Sequence, residues 1–435
     1  MKFFLPDWED RVDPNFDFKY DRYSEGHNED PYSNDVYAHQ IYESSLPYDG
    51  ILTSLSIFQS KIVLKNHGSN DISIRGLRNI KEYLKIPKRS ALEVLGDCGA
   101  FSYVNEKNPP PFFSTENVAN IYDRLGFDYG VSVDHMAIDY YITKDKISKK
   151  RIKTELDGPE KERRVKITIE NAQKFLEIYK EKQYKFIPIG AAQGFDRESY
   201  AYSVKKLVAM GYTYIGLGSL VRYSSKEILS ILERIKPELE NAKLHLFGVL
   251  RPQFLKKFEG LGVVSFDSAS YLRKAWLRSG QNYLTKDNKW YAAVRVPYSD
   301  NETLLKNSGL LGIRERELTK MEKKALLNLK NYDEGKIDLN ETLRTVMEYD
   351  DLLIRNSNDG INLRERYERT LRDKPWKKCK CKVCREMGIE VVIFRGSNRN
   401  KRRGFHNSWV FKQELSNEKY THFKVRGKPK SVSKY

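Results

Sequence analysis

The stretch FIPIGAAQGFDRESYAYSVKKLVAMGYTYIGLGS, residues 186–219, decides the fold of this 435-residue chain. It opens with a short apolar run at 186–192, which has the length and composition of a buried strand. Residues 197–210 then place apolar side chains at helical spacing, and a second apolar run follows at 212–217. Strand, amphipathic helix and strand in this order predict one parallel β/α unit. The apolar face of the helix is expected to contain Tyr200, Val204, Leu207 and Val208.

Similar units repeat on both sides of this stretch. Including an early run at 50–58 and a late run at 389–394, eight strands can be placed, which predicts an α/β protein with a (β/α)₈ TIM barrel. A doubly wound open sheet is the rival fold, but the sequence has no Gly-x-Gly-x-x-Gly turn after a first strand. Active sites of such barrels collect at the C-terminal strand ends. Five of these ends carry Asp97, Asp134, Gln193, Gly218 and Asp267.

The segments around the barrel pattern differ in composition. Residues 1–49 are polar and aromatic-rich and indicate an N-terminal arm, which leaves 50–298 for the barrel body. Two amphipathic helical patterns predict an inserted helical segment at 299–372. We expect a zinc-binding subdomain with the last barrel strand at 373–415, and a basic tail at 416–435. The apolar positions of the two inserted helices are Leu318, Met321, Ala325, Leu329, and Leu339, Leu343, Val346, Met347.

Three of the four cysteines lie within six residues, at Cys379, Cys381 and Cys384, and His406 follows 22 residues later. A tetrahedral zinc site needs four nitrogen or sulfur ligands, and this loop can supply three, with His406 as the fourth. A redox pair and unrelated surface cysteines are the alternatives. Because four protein ligands leave no open position for water, the zinc is expected to be structural. Metal-binding rather than disulfide-bonded cysteines are typical of a reducing cytoplasm.

The net charge of +18 favours a polyanionic partner such as nucleic acid, with a merely soluble basic enzyme as the alternative. Basic residues concentrate at 372–403 and 424–430. Aromatic residues are interleaved with them, namely Trp376, Phe394, Phe405 and Trp409, so we expect one basic surface there. No run of about 18 apolar residues is present. The opening residues also lack a secretory signal. The chain is therefore expected in the cytoplasm, away from membranes.

Several short blocks, in order along the chain, resemble the tRNA-guanine transglycosylase family. Leu-Gly-Asp-Cys-Gly-Ala-Phe-Ser at 95–102 resembles the family's Asp-Ser-Gly-Gly-Phe-Gln signature, and Phe-Asp-Ser at 266–268 resembles its nucleophile segment. Further similar blocks lie at 192–194, 214–219, 245–252, 278–280 and in the cysteine cluster with His406-Asn407. The resemblance implies exchange of a nucleic-acid base through a covalent glycosyl-enzyme intermediate. In it Asp267 is the nucleophile and Asp97 the general acid and base. For Asp267 taken alone, a strand-end aspartate without catalytic function is the alternative.

The resemblance also implies a set of substrate-binding residues. Asp134 and Gln193 would bind the guanine edge, Gly218 would present backbone groups, and Phe101 and Phe247 would enclose the purine face. Core packing at a strand end is the alternative for both rings, and for Phe247 it is nearly as well supported. Ser219 and Cys98 complete the set.

Cys98 stands where the family usually has serine, which leaves its role in the pocket open. Arg273, Lys274 and Arg278 would bind the flanking phosphates, unless they form a solvated basic loop.

One departure from the family bears on the incoming base. Bacterial tRNA enzymes that insert an aminomethyl deazaguanine carry an acid shortly after the block at Gly218, whereas here Arg222 follows and the first acid is Glu227. This favours the neutral 7-cyano-7-deazaguanine. The N-terminal arm and the 299–372 insertion resemble the DNA-modifying branch, so DNA is the expected partner and tRNA the alternative, with a helper ATPase for duplex DNA. A non-catalytic, zinc-bearing nucleic-acid-binding subunit is the third interpretation, which intact Asp97 and Asp267 disfavour.

Overall fold

The computed structural model describes residues 1–27, 29–64, 72–144, 150–277, 280–354 and 363–416. The strands are β1 (Lys2–Pro6), β2 (Gly50–Ser54), β3 (Ile62–Leu64), β4 (Ile72–Ile74), β5 (Glu93–Asp97), β6 (Tyr129–Val131), β7 (Tyr140–Lys144), β8 (Arg151–Glu155), β9 (Ile187–Ala192), β10 (Tyr214–Leu217), β11 (Lys243–Leu246), β12 (Val263–Asp267), β13 (Tyr283–Leu284), β14 (Trp290–Tyr291), β15 (Val294–Arg295) and β16 (Ile393–Phe394). The helices are α1 (Pro31–Asn34), α2 (Ala38–Ile41), α3 (Leu55–Phe58), α4 (Ile80–Tyr83), α5 (Thr115–Arg124), α6 (Gly158–Lys182), α7 (Arg197–Met210), α8 (Ser225–Ile235), α9 (Leu255–Gly260), α10 (Ser270–Lys274), α11 (Glu302–Leu310), α12 (Glu315–Asp333), α13 (Leu339–Ile354), α14 (Arg364–Asp373), α15 (Pro375–Lys378), α16 (Lys382–Met387) and α17 (Gly396–Ser416). They form two compact units, the first from residues 1–9 and 48–269 and the second from 10–47 and 270–417.

The first unit is a closed barrel of eight parallel strands, which confirms the predicted fold class. Around the barrel the order is β1, β2, β5, β6, β9, β10, β11 and β12, and β12 pairs with β1 to close it. Apolar side chains from different strands, among them Phe4, Leu52, Leu95 and Ile189, pack together in its core. All eight strands therefore end at one rim, which is where side chains that follow strand ends can meet.

The identity of the eighth strand differs from the prediction. The barrel is closed by β1, which lies in the segment expected to be an arm, and not by residues 389–394. Within that late run, Gly388–Val392 forms a 3₁₀ helix, and β16 pairs with β15 in a separate two-stranded sheet of the second unit. Strand β1 is a short continuous apolar run, as expected of a strand buried in a parallel sheet. The polar residues that follow it hid this signal.

The helix predicted from residues 197–210 is α7, and its ends follow from local chemistry. Asp196 accepts a hydrogen bond from the Ser199 amide and caps the N-terminus, while Gly211 ends the helix with a φ of +99°. Tyr200, Val204 and Leu207 are buried as predicted. A long crossover connects β6 to β9 and contains the antiparallel hairpin β7–β8 and helix α6.

The second unit contains the inserted helices α12 and α13, which follow the predicted patterns: Leu318, Ala325 and Leu329 are buried on α12, and Leu343 and Val346 on α13. Within the described residues, the structure has no helix long and apolar enough to cross a membrane.

The expected basic surface at 372–403 is only partly present. Lys377, Lys378, Lys380 and Lys382 are exposed, but several arginines, Arg395, Arg399, Arg402 and Arg403, are at most 4% exposed. Trp376, Phe405 and Trp409 are buried too. The prediction was wrong for the arginines because they bind carboxylates and carbonyl oxygens inside the second unit, and wrong for these three aromatic residues because their rings are buried there. The tail at 424–430 lies outside the described residues.

Candidate active site and metal centre

A cavity of about 520 Å³ opens at the C-terminal ends of the barrel strands. Asp97 and Asp267 are the last residues of β5 and β12, Gln193 directly follows β9 and Gly218 directly follows β10. The barrel thus brings together residues that are far apart in sequence. Eight of the predicted catalytic and base-binding residues line the cavity: Asp97, Phe101, Asp134, Gln193, Gly218, Ser219, Phe247 and Asp267.

The carboxylate of Asp267 is fixed through one of its two oxygens. Its Oδ1 accepts a hydrogen bond from the Gly248 amide at 2.9 Å and lies 3.2 Å from Nε2 of His245. Among the described residues nothing donates a hydrogen bond to Oδ2. Asp267 is 5% exposed, with one carboxylate oxygen held by the protein and the other without a hydrogen-bond donor among the described residues.

His245 lies in the sequence block at 245–252 and has no predicted function. It is fully buried, and its Nδ1 lies 2.6 Å from Oγ of Ser265, which in turn contacts the hydroxyl of Tyr214. With the proton on Nε2, the ring donates to Asp267 and accepts from Ser265. Only the strand register could have identified this residue. In the structure, His245 is paired with Gly216 and Ser265 on the neighbouring strands.

Asp97 has a strongly shifted pKa. Burial raises the pKa of its carboxyl from 3.8 to about 7, and the nearby charges of Asp134 and Asp267 add to the rise. Hydrogen bonds from Ser54 and the Gly99 amide oppose it without cancelling it. A carboxyl group with a pKa near neutral pH can both donate and accept a proton in one reaction cycle.

Asp134 and Gln193 form the centre of a hydrogen-bond relay. Gln193 donates from Nε2 to Oδ2 of Asp134, and Ser219 donates to Oε1 of Gln193 at 2.6 Å. Cys98 donates from Sγ to the other carboxylate oxygen of Asp134 at 3.0 Å. Cys98 is buried and is not one of the residues that line the cavity, so its contact with the site runs through Asp134. Burial raises the pKa of the Asp134 carboxyl.

Gly218 leaves room for the side chain of Gln193. A Cβ atom there would lie 2.2 Å from Nε2 of Gln193, so a larger residue would displace that side chain. Both backbone groups of Gly218 already have partners, since its amide donates to Ala192 and its carbonyl accepts from Tyr200 at 2.7 Å. The visible contribution of Gly218 is therefore steric.

The two predicted aromatic residues differ in exposure. Phe101 is 75% exposed at the edge of the cavity, where its ring is available to a ligand. Phe247 is partly buried and packs edge-on against His245, with ring centroids 4.6 Å apart. Phe247 thus lines the cavity and also belongs to the packing of the barrel.

Two of the three predicted phosphate-binding residues, Arg273 and Lys274, lie in the second unit. Arg273 is exposed on α10. The ammonium of Lys274 lies 4.2 Å from the ring centroid of Trp290, and burial lowers its pKa. Arg278 lies outside the described residues. Their role in binding nucleic acid stays a prediction.

The predicted metal ligands converge in the second unit. The ligand atoms of Cys379, Cys381, Cys384 and His406 all lie within 4.8 Å of one another, an arrangement that could hold a metal ion. Nδ1 of His406 lies 3.4 to 3.7 Å from the three sulfur atoms. The opposite nitrogen, Nε2, lies 2.7 Å from the carbonyl oxygen of Leu284, to which it donates. This contact fixes the tautomer that leaves Nδ1 free to bind a metal.

Taken together, the barrel rim carries three carboxyl groups around one cavity, and within the described residues none of them forms an ion pair with lysine or arginine. Carboxyl groups in this arrangement are typical of enzymes that break and remake glycosidic bonds. The family model for queuine tRNA-ribosyltransferase matches residues 108–392. The chain belongs to this family, the tRNA-guanine transglycosylases, and is a guanine transglycosylase.

Two relatives refine the comparison. A DNA-guanine transglycosylase from Salmonella montevideo is 36% identical over 418 residues, which cover 95% of this chain and 96% of that protein. A tRNA-guanine(15) transglycosylase from Methanococcus aeolicus is 24% identical over 229 residues, which cover 51% of this chain and 31% of that protein. Similarity to the first protein therefore extends over almost the whole chain, including the parts outside the barrel.

Proposed function

We propose that this chain replaces guanine in DNA with 7-cyano-7-deazaguanine through a covalent intermediate on Asp267. The observation that carries the proposal is the pairing of two carboxyl groups at one cavity. Asp267 is anchored through Oδ1 alone, and Asp97 has a pKa of about 7. The first arrangement suits a nucleophile and the second a group that must give and take a proton.

In the first half of the reaction, the carboxylate of Asp267 attacks the anomeric carbon of the target nucleotide. The bond from that carbon to the guanine breaks, its electron pair stays with the base, and protonated Asp97 supplies the proton. In the second half, the incoming base gives its proton to Asp97, attacks the same carbon and displaces the carboxylate of Asp267. Two displacements on one carbon retain its configuration, as in retaining glycosidases.

The relay of Asp134, Gln193 and Ser219 supports recognition of a purine edge. A carboxylate, a primary amide and a hydroxyl offer both donors and acceptors, which the amide and amino groups of guanine require. Because these groups are already ordered by one another, little side-chain entropy is lost when a base binds.

The proposed preference for the base that carries a nitrile group depends on which acidic side chains line the cavity. Among the described residues, the acidic side chains that line it are those of Asp97, Asp134 and Asp267, all of which have roles in the proposal. Glu227, the first acid after Gly218, caps α8, where its carboxylate accepts from the Ser224 amide at 2.7 Å. A cationic aminomethyl group would thus lack a dedicated counter-charge. Competition between the two bases at equal concentration tests this, and preference for the aminomethyl base would contradict it.

DNA as the substrate is supported by the near full-length similarity to a protein described as a DNA-guanine transglycosylase. A stacked, paired guanine does not expose its anomeric carbon, so the target nucleotide must leave the helix at a cost of a few kcal/mol. Single-stranded or bubble DNA should be the better substrate, and a helper ATPase would open duplex DNA.

Exchange of labelled guanine should be measured on matched duplex DNA, bubble DNA and tRNA. We expect the highest rate on bubble DNA. Activity confined to tRNA would instead support the tRNA enzyme, and equal rates on duplex and bubble would contradict extrusion. Binding of nucleic acid without exchange on any substrate would support the non-catalytic subunit.

We further propose that the metal cluster holds a structural zinc ion. Bond lengths of about 2.3 Å to sulfur and about 2.0 Å to nitrogen place tetrahedral ligands about 3.6 Å apart. The distances from His406 to the three sulfur atoms, 3.4 to 3.7 Å, fit this spacing. Cysteines used as metal ligands support a reducing location such as the cytoplasm.

A further inference from the structure

We propose that the β7–β8 hairpin is a docking surface for the DNA strand that carries the target guanine. The inference rests on the proposed function and names the part of the barrel unit that holds the substrate strand. Asp134 and Ile138, which line the cavity, precede β7 by six and two residues. The hairpin therefore leaves the barrel at the rim where the cavity opens.

The base of the hairpin is attached to this rim. Arg222, which lines the cavity, donates to the carbonyl oxygen of Tyr140, and its guanidinium carbon lies 4.1 Å from the centroid of the Tyr140 ring. At the other edge, the Leu156 amide donates to the Asp139 carbonyl at 2.8 Å and closes the base of the ribbon. Because its base is fixed to the rim, the hairpin can hold a strand in register with the cavity.

Both faces of the hairpin are open. Ile142 is paired with Lys153, and Thr143 with Ile152, so the two isoleucines lie on opposite faces of the ribbon. They are 49% and 48% exposed. A two-stranded ribbon has little stability of its own in water, and contact with a partner would stabilise it.

The charge of the hairpin indicates what this partner is. Lys144 and Arg151, both exposed, are directly opposite each other in the register. Like charges in this position destabilise an antiparallel pair. A phosphate group bound between them would turn this repulsion into attraction. Lys150 adds further positive charge, while Lys153 is paired with the acid Glu155 at 2.5 Å. A polyanionic strand is the partner that matches such a surface beside a nucleotide-binding cavity.

The test removes the opposed pair with the double variant Lys144→Gln, Arg151→Gln. The matched control is Lys166→Gln, Lys206→Gln, which removes the same charge from exposed positions on α6 and α7. Affinity for fluorescent bubble DNA should be measured over a range of salt concentrations, together with kcat and KM for base exchange.

We expect the hairpin variant to bind bubble DNA about tenfold more weakly, with the loss in kcat/KM carried by KM. The slope of log Kd against log salt should fall by about 0.7 to 0.9, the contribution of the one phosphate contact that is lost. Thermal stability should be unchanged or higher, because a repulsive pair is removed. The control pair should change the affinity much less.

DNA affinity and salt slope equal to those of the wild type would overturn the inference and leave a protein as the partner of the hairpin. An equal loss in the control pair would also overturn it, because overall charge would then explain the effect. Exchange by the wild type in parallel tests the proposed function separately. A wild type active on tRNA alone would contradict that function, whereas the effect of the variant on DNA binding reports on the hairpin.

Discussion

Carboxylates inside the second unit are paired with arginines, whereas the carboxyl groups at the barrel cavity have no lysine or arginine partner among the described residues. In the second unit, Asp21 and Glu390 share the guanidinium of Arg399, and Arg395 joins Asp21 to Glu322. At the cavity, Asp97, Asp134 and Asp267 lie close enough for their charges to raise the pKa of Asp97, and among the described residues no lysine or arginine pairs with them.

The difference separates the structural use of carboxylates in the second unit from the catalytic use proposed for those at the cavity. A carboxylate paired with an arginine is stabilised in its charged form and is unavailable for proton transfer or attack. A carboxyl group left without a cation keeps its reactivity at the expense of stability, and such groups cluster at functional sites. Substitutions in the two regions should therefore fail in different ways.

The largest effect is expected on activity, from Asp267→Asn. The amide cannot form the covalent bond to the sugar, so base exchange should fall on the order of 10⁴-fold or more. Folding should be preserved, since the shape of the side chain is unchanged. Labelled-base exchange and thermal melting measure the two quantities. Glu233→Gln, an exposed acid on α8, is the matched control. Exchange at the wild-type rate by Asp267→Asn would refute the nucleophile.

Loss of a metal ligand should instead lower stability, with activity lost only as a consequence of unfolding. Cys381→Ser removes one of the four ligands, and a structural metal contributes directly to folding free energy. We expect a lower melting temperature, poor solubility and a loss of metal content by elemental analysis, with activity falling together with the folded fraction. A metal-free protein that stayed folded and active would contradict a structural role.

Arg399→Met should destabilise the second unit by about 3 kcal/mol, because Asp21 and Glu390 lose the buried cation that they share and keep only Arg395 and Lys330 as partners. Denaturant unfolding measures the change. The comparison is Arg344→Met, which breaks an exposed pair with Glu348 on α13 and should cost less than about 1 kcal/mol. Similar losses for the two variants would show that burial does not set the strength of these pairs.

The smallest effect concerns pH and stability. The pKa of Asp97 in the folded chain, about 7, is above its ordinary value of 3.8, so the folded state retains a proton that the unfolded state releases. The associated stability is present below about pH 4 and is lost as pH rises to about 7. The stability of Asp97→Asn should thus rise relative to that of the wild type between pH 4 and pH 8, by at most about 4 kcal/mol at about 1.4 kcal/mol for each pKa unit. Parallel stability curves across this range would disprove the raised pKa.

Features set by local sequence were predictable. The α7 helix and the α12–α13 pair follow from apolar spacing, and the strand ends at Asp97, Gln193 and Asp267 follow from alternation of strands and helices. The cysteine cluster was visible because its spacing is short. In each case the signal lies within a few residues of the feature that it predicts.

Features set by distant partners were not predictable. Arg399 looks like a surface cation until Asp21, 378 residues away, is placed beside it. His245 acquires a function only from the register that sets it next to Ser265 and Asp267. A charged or polar residue carries no local sign of whether its partner is water, a ligand or a buried counter-ion.

The closing strand also sets an order of assembly during synthesis. Phe4 on β1 pairs with Asp267 on β12, so the barrel cannot close until its last strand has been synthesised. At about 5 to 20 residues per second, the interval between them is roughly 13 to 50 s on the ribosome. Since the barrel closes at the strand that carries Asp267, an incomplete chain holds Asp97 and Asp134 without the residue proposed to attack the sugar. Base exchange can therefore begin only after the barrel has closed.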